Sequence, residues 1–221
     1  MDTATIIGIL AVLATLAISV TFHEFMHGYM AYKLGDNTAK YSGRLTLNPL
    51  AHVDPIGTVL LPVVLLIIGG PLFGAAKPVP FNPSNLRNGE TGFMMVALVG
   101  PLTNLVLAAL GGIVFQLVSL GPELMYSLAI FILLNIGLFV FNLIPFPPLD
   151  GSRVLYVLAP EGVRRVMQQI ESGGLISIAL LIFVLFPLGL GQVLTRAISV
   201  LSNWLAGTDL FEFMFQMQGL I

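Results

Sequence analysis

The chain has 221 residues, of which 57% are hydrophobic and only 9% charged, with a formal net charge of −2 and no cysteine. A soluble domain carries about 25% charged residues, so an ordinary water-soluble globule is excluded. Nine basic residues in a weakly acidic chain leave no patch to neutralise a run of phosphates, which excludes nucleic acid as a ligand, and the missing cysteines exclude disulfides, thiolate metal sites and thiol nucleophiles.

Five stretches contain no Asp, Glu, Lys or Arg: residues 3–22, 55–76, 91–122, 124–149 and 172–195. A helix crosses a hydrocarbon core about 30 Å thick with roughly 20 apolar residues, so each stretch is long enough to span. The sequence therefore predicts an all-α polytopic membrane protein, a single domain over residues 1–221 built as a helical bundle of about five apolar segments. The first run follows Met1-Asp2 without the basic region of a cleavable signal and ends at His23-Glu24, so it is read as the first span. Residues 33–54 hold Gly35-Asp36-Asn37 and Asn48-Pro49, turn formers that stop this helix. Pro78, Pro80 and Pro83 predict extended chain or a re-entrant segment near residues 71–83. Gly100-Pro101 lies early in the third run, and Pro145, Pro147 and Pro148 end the fourth. Beyond Pro187, Leu194, Ile198, Leu201 and Leu205 recur at helical spacing beside Arg196, Ser199 and Asn203. That pattern predicts an amphipathic helix at the membrane surface after a C-terminal span, together covering about residues 172–207.

His23-Glu24-Phe25-Met26-His27 is an HExxH pattern at the end of an apolar helix. Positions i and i+4 share a helix face, so both imidazoles reach one ion, and the intervening Glu24 is placed to act on a metal-bound water. Five-residue patterns arise by chance, but two of the three histidines and one of the eleven acids coincide here, where an ionisable side chain is costly and functional by default. A catalytic zinc takes three protein ligands and leaves one position open. The third ligand must be a histidine or a carboxylate. Asp150, after 26 uncharged residues and within Pro147-Pro148-Leu149-Asp150-Gly151, is the leading candidate, with capping of a following helix as its ordinary role. His52 and Asp54, in a turn-rich loop, are the competitors.

In order, His23-Glu24-x-x-His27, Gly100-Pro101-Leu102-Thr103-Asn104, and Asn142-Leu143-Ile144-Pro145 leading to Leu149-Asp150-Gly151 resemble the site-2 protease family of intramembrane zinc metalloproteases. The resemblance covers about residues 5–160, the expected catalytic core. It implies one Zn2+ held by His23, His27 and Asp150, with Glu24 as catalytic base. It also implies that Asn142 contacts the substrate backbone near the scissile bond and that Asn104 has a polar role beside the site, so both stand as candidate substrate-binding residues. Residues 47–58 and 76–80 resemble a compact prokaryotic branch of the family, without PDZ or CBS domains, and no nucleotide is expected. The implied partners are a transmembrane helix of a substrate protein and the lipid bilayer of a prokaryotic cell membrane.

Zinc ligation also constrains topology. His23 and His27 end the first span and Asp150 follows the fourth run, so five simple crossings would leave them on opposite faces. The chain must return between residues 55 and 90, either because 55–76 re-enters or because it spans and the extended segment after Pro71 crosses back, the reading favoured here. With that return, Lys33, Lys40, Arg44, Lys77, Arg87, Arg153, Arg164 and Arg165 share one side and only Arg196 lies opposite. The positive-inside rule then turns the zinc end toward the cytoplasm. The expected function is an endopeptidase cutting transmembrane helices, with residues 76–83 either an edge strand that captures the substrate or an interfacial loop without substrate contact. The alternative is a small metal-ion or proton transporter using the same His and Asp cluster.

Overall fold

The computed structural model describes residues 3–54, 77–174, 177, 180–181 and 188–217. Among the described residues the regular elements are eight α-helices and short 3-10 turns, with no strand. The apolar run at 55–76 and ten residues of the run at 172–195 lie outside the described residues, so their crossings do too.

Three helices are long and apolar enough to span: α1 (Thr3–Lys33), α3 (Gly89–Leu117) and α4 (Pro122–Asn142). They make the chain a multi-pass integral membrane protein and pack against one another as the centre of the bundle. Helix α1 stops where the turn signal predicts. Gly35 takes a positive φ of 108°, the Asp36 N–H reaches the Ala31 carbonyl at 2.9 Å, and the Gly35 N–H reaches Tyr32 at 3.1 Å. This is the paired closure of a glycine-terminated helix, which satisfies carbonyls the last turn leaves open. A one-turn helix α2 (Thr38–Tyr41) and a 3-10 turn (Pro49–His52) follow.

The chain is back beside α1 by residue 77, because the Lys77 N–H donates to the His52 carbonyl at 3.0 Å. Residues 77–82 form no helix or turn, in keeping with the prolines, with Asn82 extended, and a 3-10 turn (Pro83–Asn85) closes this strap. The strap runs along the motif end of the bundle. The Arg87 N–H meets the Leu34 carbonyl at 2.9 Å, and Leu86 packs with Ala31 and Val96. Residues 77–82 therefore lie along this end and do not themselves cross; the segment 55–76, on which the expected return falls, lies outside the described residues. Helix α3 starts where α1 ends, and α4 brings the chain home, so His27 and Asp150 meet at one end as the topology argument requires.

Helix α5 (Asp150–Leu158) packs on α3, and α6 (Glu161–Ser172) follows, with Arg164 paired to Glu90 at the start of α3. Helix α7 (Gly191–Ala206) rests on α3 and α4 with Ser202 and Ala206 buried, and α8 (Leu210–Met217) packs beside it. A Cβ on Gly112 of α3 would lie 2.4 Å from the Leu205 carbonyl, the close backbone approach that small residues permit between membrane helices. The main core, Ala108, Ala129, Ile132, Ile136, Ala206 and Leu210, fills the joint of these four helices.

Candidate metal centre

The i, i+4 spacing on α1 puts both imidazoles on its buried face, with ring centroids 4.6 Å apart. Their Nε2 atoms are 2.9 Å apart, and Asp150 Oδ2 lies 3.1 Å from His23 Nε2 and 3.2 Å from His27 Nε2. All three side chains are buried. Asp150 arrives from the first turn of α5. The proline-rich turn before it is tight enough that a Cβ on Gly151 would stand 2.3 Å from the Leu143 carbonyl.

The outer ring nitrogens are already committed. His23 Nδ1 lies 2.7 Å from Asn104 Oδ1, and His27 Nδ1 lies 2.6 Å from the Val96 carbonyl. These oxygens only accept, so both Nδ1 atoms donate, and a neutral ring held this way turns its Nε2 lone pair inward. Two imidazole Nε2 atoms and a carboxylate oxygen then converge, an arrangement that a cation at the centre would satisfy. A tetrahedral zinc about 2.0–2.1 Å from each ligand would separate them by about 3.3 Å, close to the observed triangle. The residues present fit zinc.

The packing around the rings leaves no slack. A Cβ on Gly100 of α3 would lie 2.3 Å from His27 Nε2 and 2.8 Å from His23 Cε1, so only glycine admits both imidazoles. Pro101 has no N–H to return to the Ala97 carbonyl, which opens the helix ladder at this turn. The neighbouring Val96 carbonyl is the one that receives His27.

Glu24 is half-buried, and its Oε2 accepts the Val79 N–H at 2.8 Å. The strap is held against α1 from both ends. Arg44 Nη2 donates to the Lys77 carbonyl at 2.6 Å, while Asp36 accepts the Asn82 N–H at 2.8 Å and the Asn85 amide at 2.9 Å. Neither Arg44 nor Asp36 stood out in the sequence as more than a loop charge. Their signal was burial, which composition does not carry. Over 77–80 the strap has no spare donor: Lys77 and Val79 are bonded within the protein, and Pro78 and Pro80 have no N–H. An incoming strand thus finds no N–H to pair with along 77–80, which runs against the edge-strand expectation for this part of the segment.

The other expected residues are placed as follows. Asn104 is fully buried, with its oxygen on His23 and its amide nitrogen directed at the Ser19 carbonyl, 3.4 Å away, and at α4. Asn142 is half-buried at the end of α4 and donates to its own helix, at the Leu138 carbonyl, 2.9 Å away. His52 is buried with Nε2 on the Thr46 carbonyl at 2.9 Å, and neither it nor Asp54 joins the cluster formed by His23, His27 and Asp150.

Two histidines and a carboxylate brought together beside a glutamate, between long apolar helices, form a buried cluster of the kind that could hold a metal ion. Comparison with known proteins agrees. The pattern of peptidase family M50 matches residues 116–186, which include Asn142 and Asp150. The chain is 44% identical over 184 residues to the Bacillus subtilis protein named "Putative zinc metalloprotease YwhC", covering 79% of this chain and 80% of that one. It is 34% identical over 175 residues to "Putative zinc metalloprotease Rip2" of Mycolicibacterium smegmatis, covering 77% and 66% of the two chains. With "Zinc metalloprotease MJ0392" of Methanocaldococcus jannaschii it shares 29% identity over 143 residues, 63% of this chain and 32% of the other. No solved structure matches. The chain belongs to peptidase family M50, the site-2 protease family.

Proposed function

We propose that this protein is an intramembrane zinc endopeptidase that hydrolyses peptide bonds within or near transmembrane helices of other proteins. The observation that carries the reading is the convergence of His23 Nε2, His27 Nε2 and Asp150 Oδ2 at 2.9 to 3.2 Å, one residue from Glu24, in a bundle of membrane-spanning helices. Zinc, when bound, supplies Lewis acidity and makes water acidic enough to ionise near pH 7.

The chain's own residues do the rest. The Val79 N–H holds Glu24 Oε2, which leaves Oε1 to take a proton from the attacking water and to pass it to the departing amine. A peptide bond inside a helix is shielded by its own hydrogen bonds, so the substrate helix must unwind before it reaches the site. Asn142, at the end of α4, is a candidate to bind the opened backbone once it leaves the Leu138 carbonyl. We place the site toward the cytoplasm of a prokaryotic cell, because eight of the nine basic residues lie in elements gathered at the motif end.

Glu24 separates this reading from a metal or proton transporter, which needs no carboxylate between two ligands. Glu24→Gln in vesicles is expected to keep zinc at wild-type stoichiometry and to lower cleavage of a helical substrate by at least about 100-fold, the scale on which general bases act. Cleavage at the wild-type rate in that variant would refute the mechanism.

A further inference from the structure

Behind the metal centre, and outside the residues that touch it, lies a second fully buried amide. Asn135 of α4 has no solvent exposure, and neither has Asn104 of α3. Such groups are expensive inside apolar helices unless every donor and acceptor is engaged. Here the engagement runs in one direction. Asn135 Nδ2 donates to the Phe131 carbonyl of its own helix at 2.9 Å, which turns Asn135 Oδ1 outward from α4. That oxygen accepts from Asn104 Nδ2 at 3.0 Å. With its nitrogen held there, Asn104 must present Oδ1 to His23 Nδ1, 2.7 Å away. The backbone carbonyl of Ser19 stands 3.4 Å from the same amide nitrogen, too far to hold it alone.

We infer that Asn135 is a positioning residue for the metal centre: by fixing which way the Asn104 amide faces, it fixes the His23 tautomer that leaves Nε2 free to bind metal. An asparagine amide is nearly symmetric in shape, so packing does not choose between its two orientations; hydrogen bonds do. Flipped, Asn104 would offer an N–H to His23 Nδ1. The imidazole would answer by carrying its proton on Nε2, the atom that faces His27 and Asp150. Support of this kind behind a ligand is worth about 10–100-fold in metal affinity.

The inference rests on the reading of His23 as a zinc ligand, and the experiment separates the two. Zinc affinity of the purified full chain is measured by competition with a chelator, for wild type, Asn135→Leu, Asn135→Asp and Ile132→Ala. In Asn135→Asp the protonated carboxyl still accepts from Asn104 through its carbonyl oxygen and donates to Phe131 through its hydroxyl, so the conservative variant preserves the relay. Asn135→Leu is expected to bind zinc about 10–100-fold more weakly and Asn135→Asp within about threefold of wild type. Ile132, fully buried one turn earlier on α4, tests mere loosening of the helix, and Ile132→Ala is expected to bind as wild type does. Wild-type affinity in Asn135→Leu, an equal loss in Ile132→Ala, or an equal loss in Asn135→Asp would each overturn the inference. Failure of the wild type itself to bind zinc would instead overturn the metal reading beneath it.

Discussion

At the scale of single residues, the centre depends as much on what is missing as on what is present. Gly100 contributes no atom to the chemistry, yet its lack of a side chain is the space in which His27 and His23 sit, 2.3 and 2.8 Å from where a Cβ would be. Gly100→Ala is therefore expected to weaken zinc binding by at least about 100-fold, the upper end for disturbing a ligand's support, while the apolar helix gains propensity from alanine. Chelator competition on the purified variant checks it, and wild-type affinity would show that the two histidines do not need this gap. The histidines and Glu24 were readable in the sequence because the 3.6-residue helical period converts spacing into a shared face. Asn135 was not, because an asparagine in an apolar run looks the same whether it caps its own helix or holds a neighbour in place.

At the scale of elements, the strap of residues 77–85 is where local sequence and tertiary structure part. Its prolines made it readable as extended chain, but its position is set by two buried charges from the loop after α1, Asp36 and Arg44. Burial pushes the Asp36 carboxyl up, but the Thr38 hydroxyl, the Asn85 amide and the backbone N–H groups of Asn82 and Thr38 outweigh it and hold it below the usual carboxylate range. Asp36 lies beyond the end of α1, outside the spanning segments. A carboxyl depressed by folding contributes stability that is complete above its ordinary pKa of about 3.9 and is lost as pH falls through its lower folded value. The strap is thus expected to stay docked at neutral pH and to loosen only in strong acid. Asp36→Asn keeps one acceptor but turns an amide toward a former donor, so it is expected to cost about 1–3 kcal/mol of docking at all pH values and to abolish the acid dependence. Hydrogen exchange of the Asn82 amide, which donates to Asp36, reads both effects against pH. Protection in the variant that matches wild type at neutral pH would mean that Asp36 does not anchor the strap.

At the scale of the whole molecule, sparse charge serves as both address and constraint. The long charge-free runs made the spans α1, α3 and α4 readable, since the length of an apolar run is a property of sequence alone. The path between α1 and α3 was not readable in the same way. Five runs counted along the chain imply alternation, and only the need for His27 to meet Asp150 required a return; Lys77, bonded to His52, stands at the same end as the loop after α1. That return gathers eight of the nine cations into elements that meet at the metal end, from Lys33 at the close of α1 to Arg165 on α6. The absence of cysteine allows a direct test. Single cysteines replacing exposed Ser42, after α2, and Ser172, at the end of α6, are expected to react with an impermeant maleimide only from the cytoplasmic side. One replacing exposed Ser119, in the turn between α3 and α4, is expected to react only from the outside. Labelling of Ser42→Cys and Ser172→Cys from opposite faces would break the returned topology. Labelling of both from outside would keep that topology but reverse its orientation, against the expectation from the positive charges.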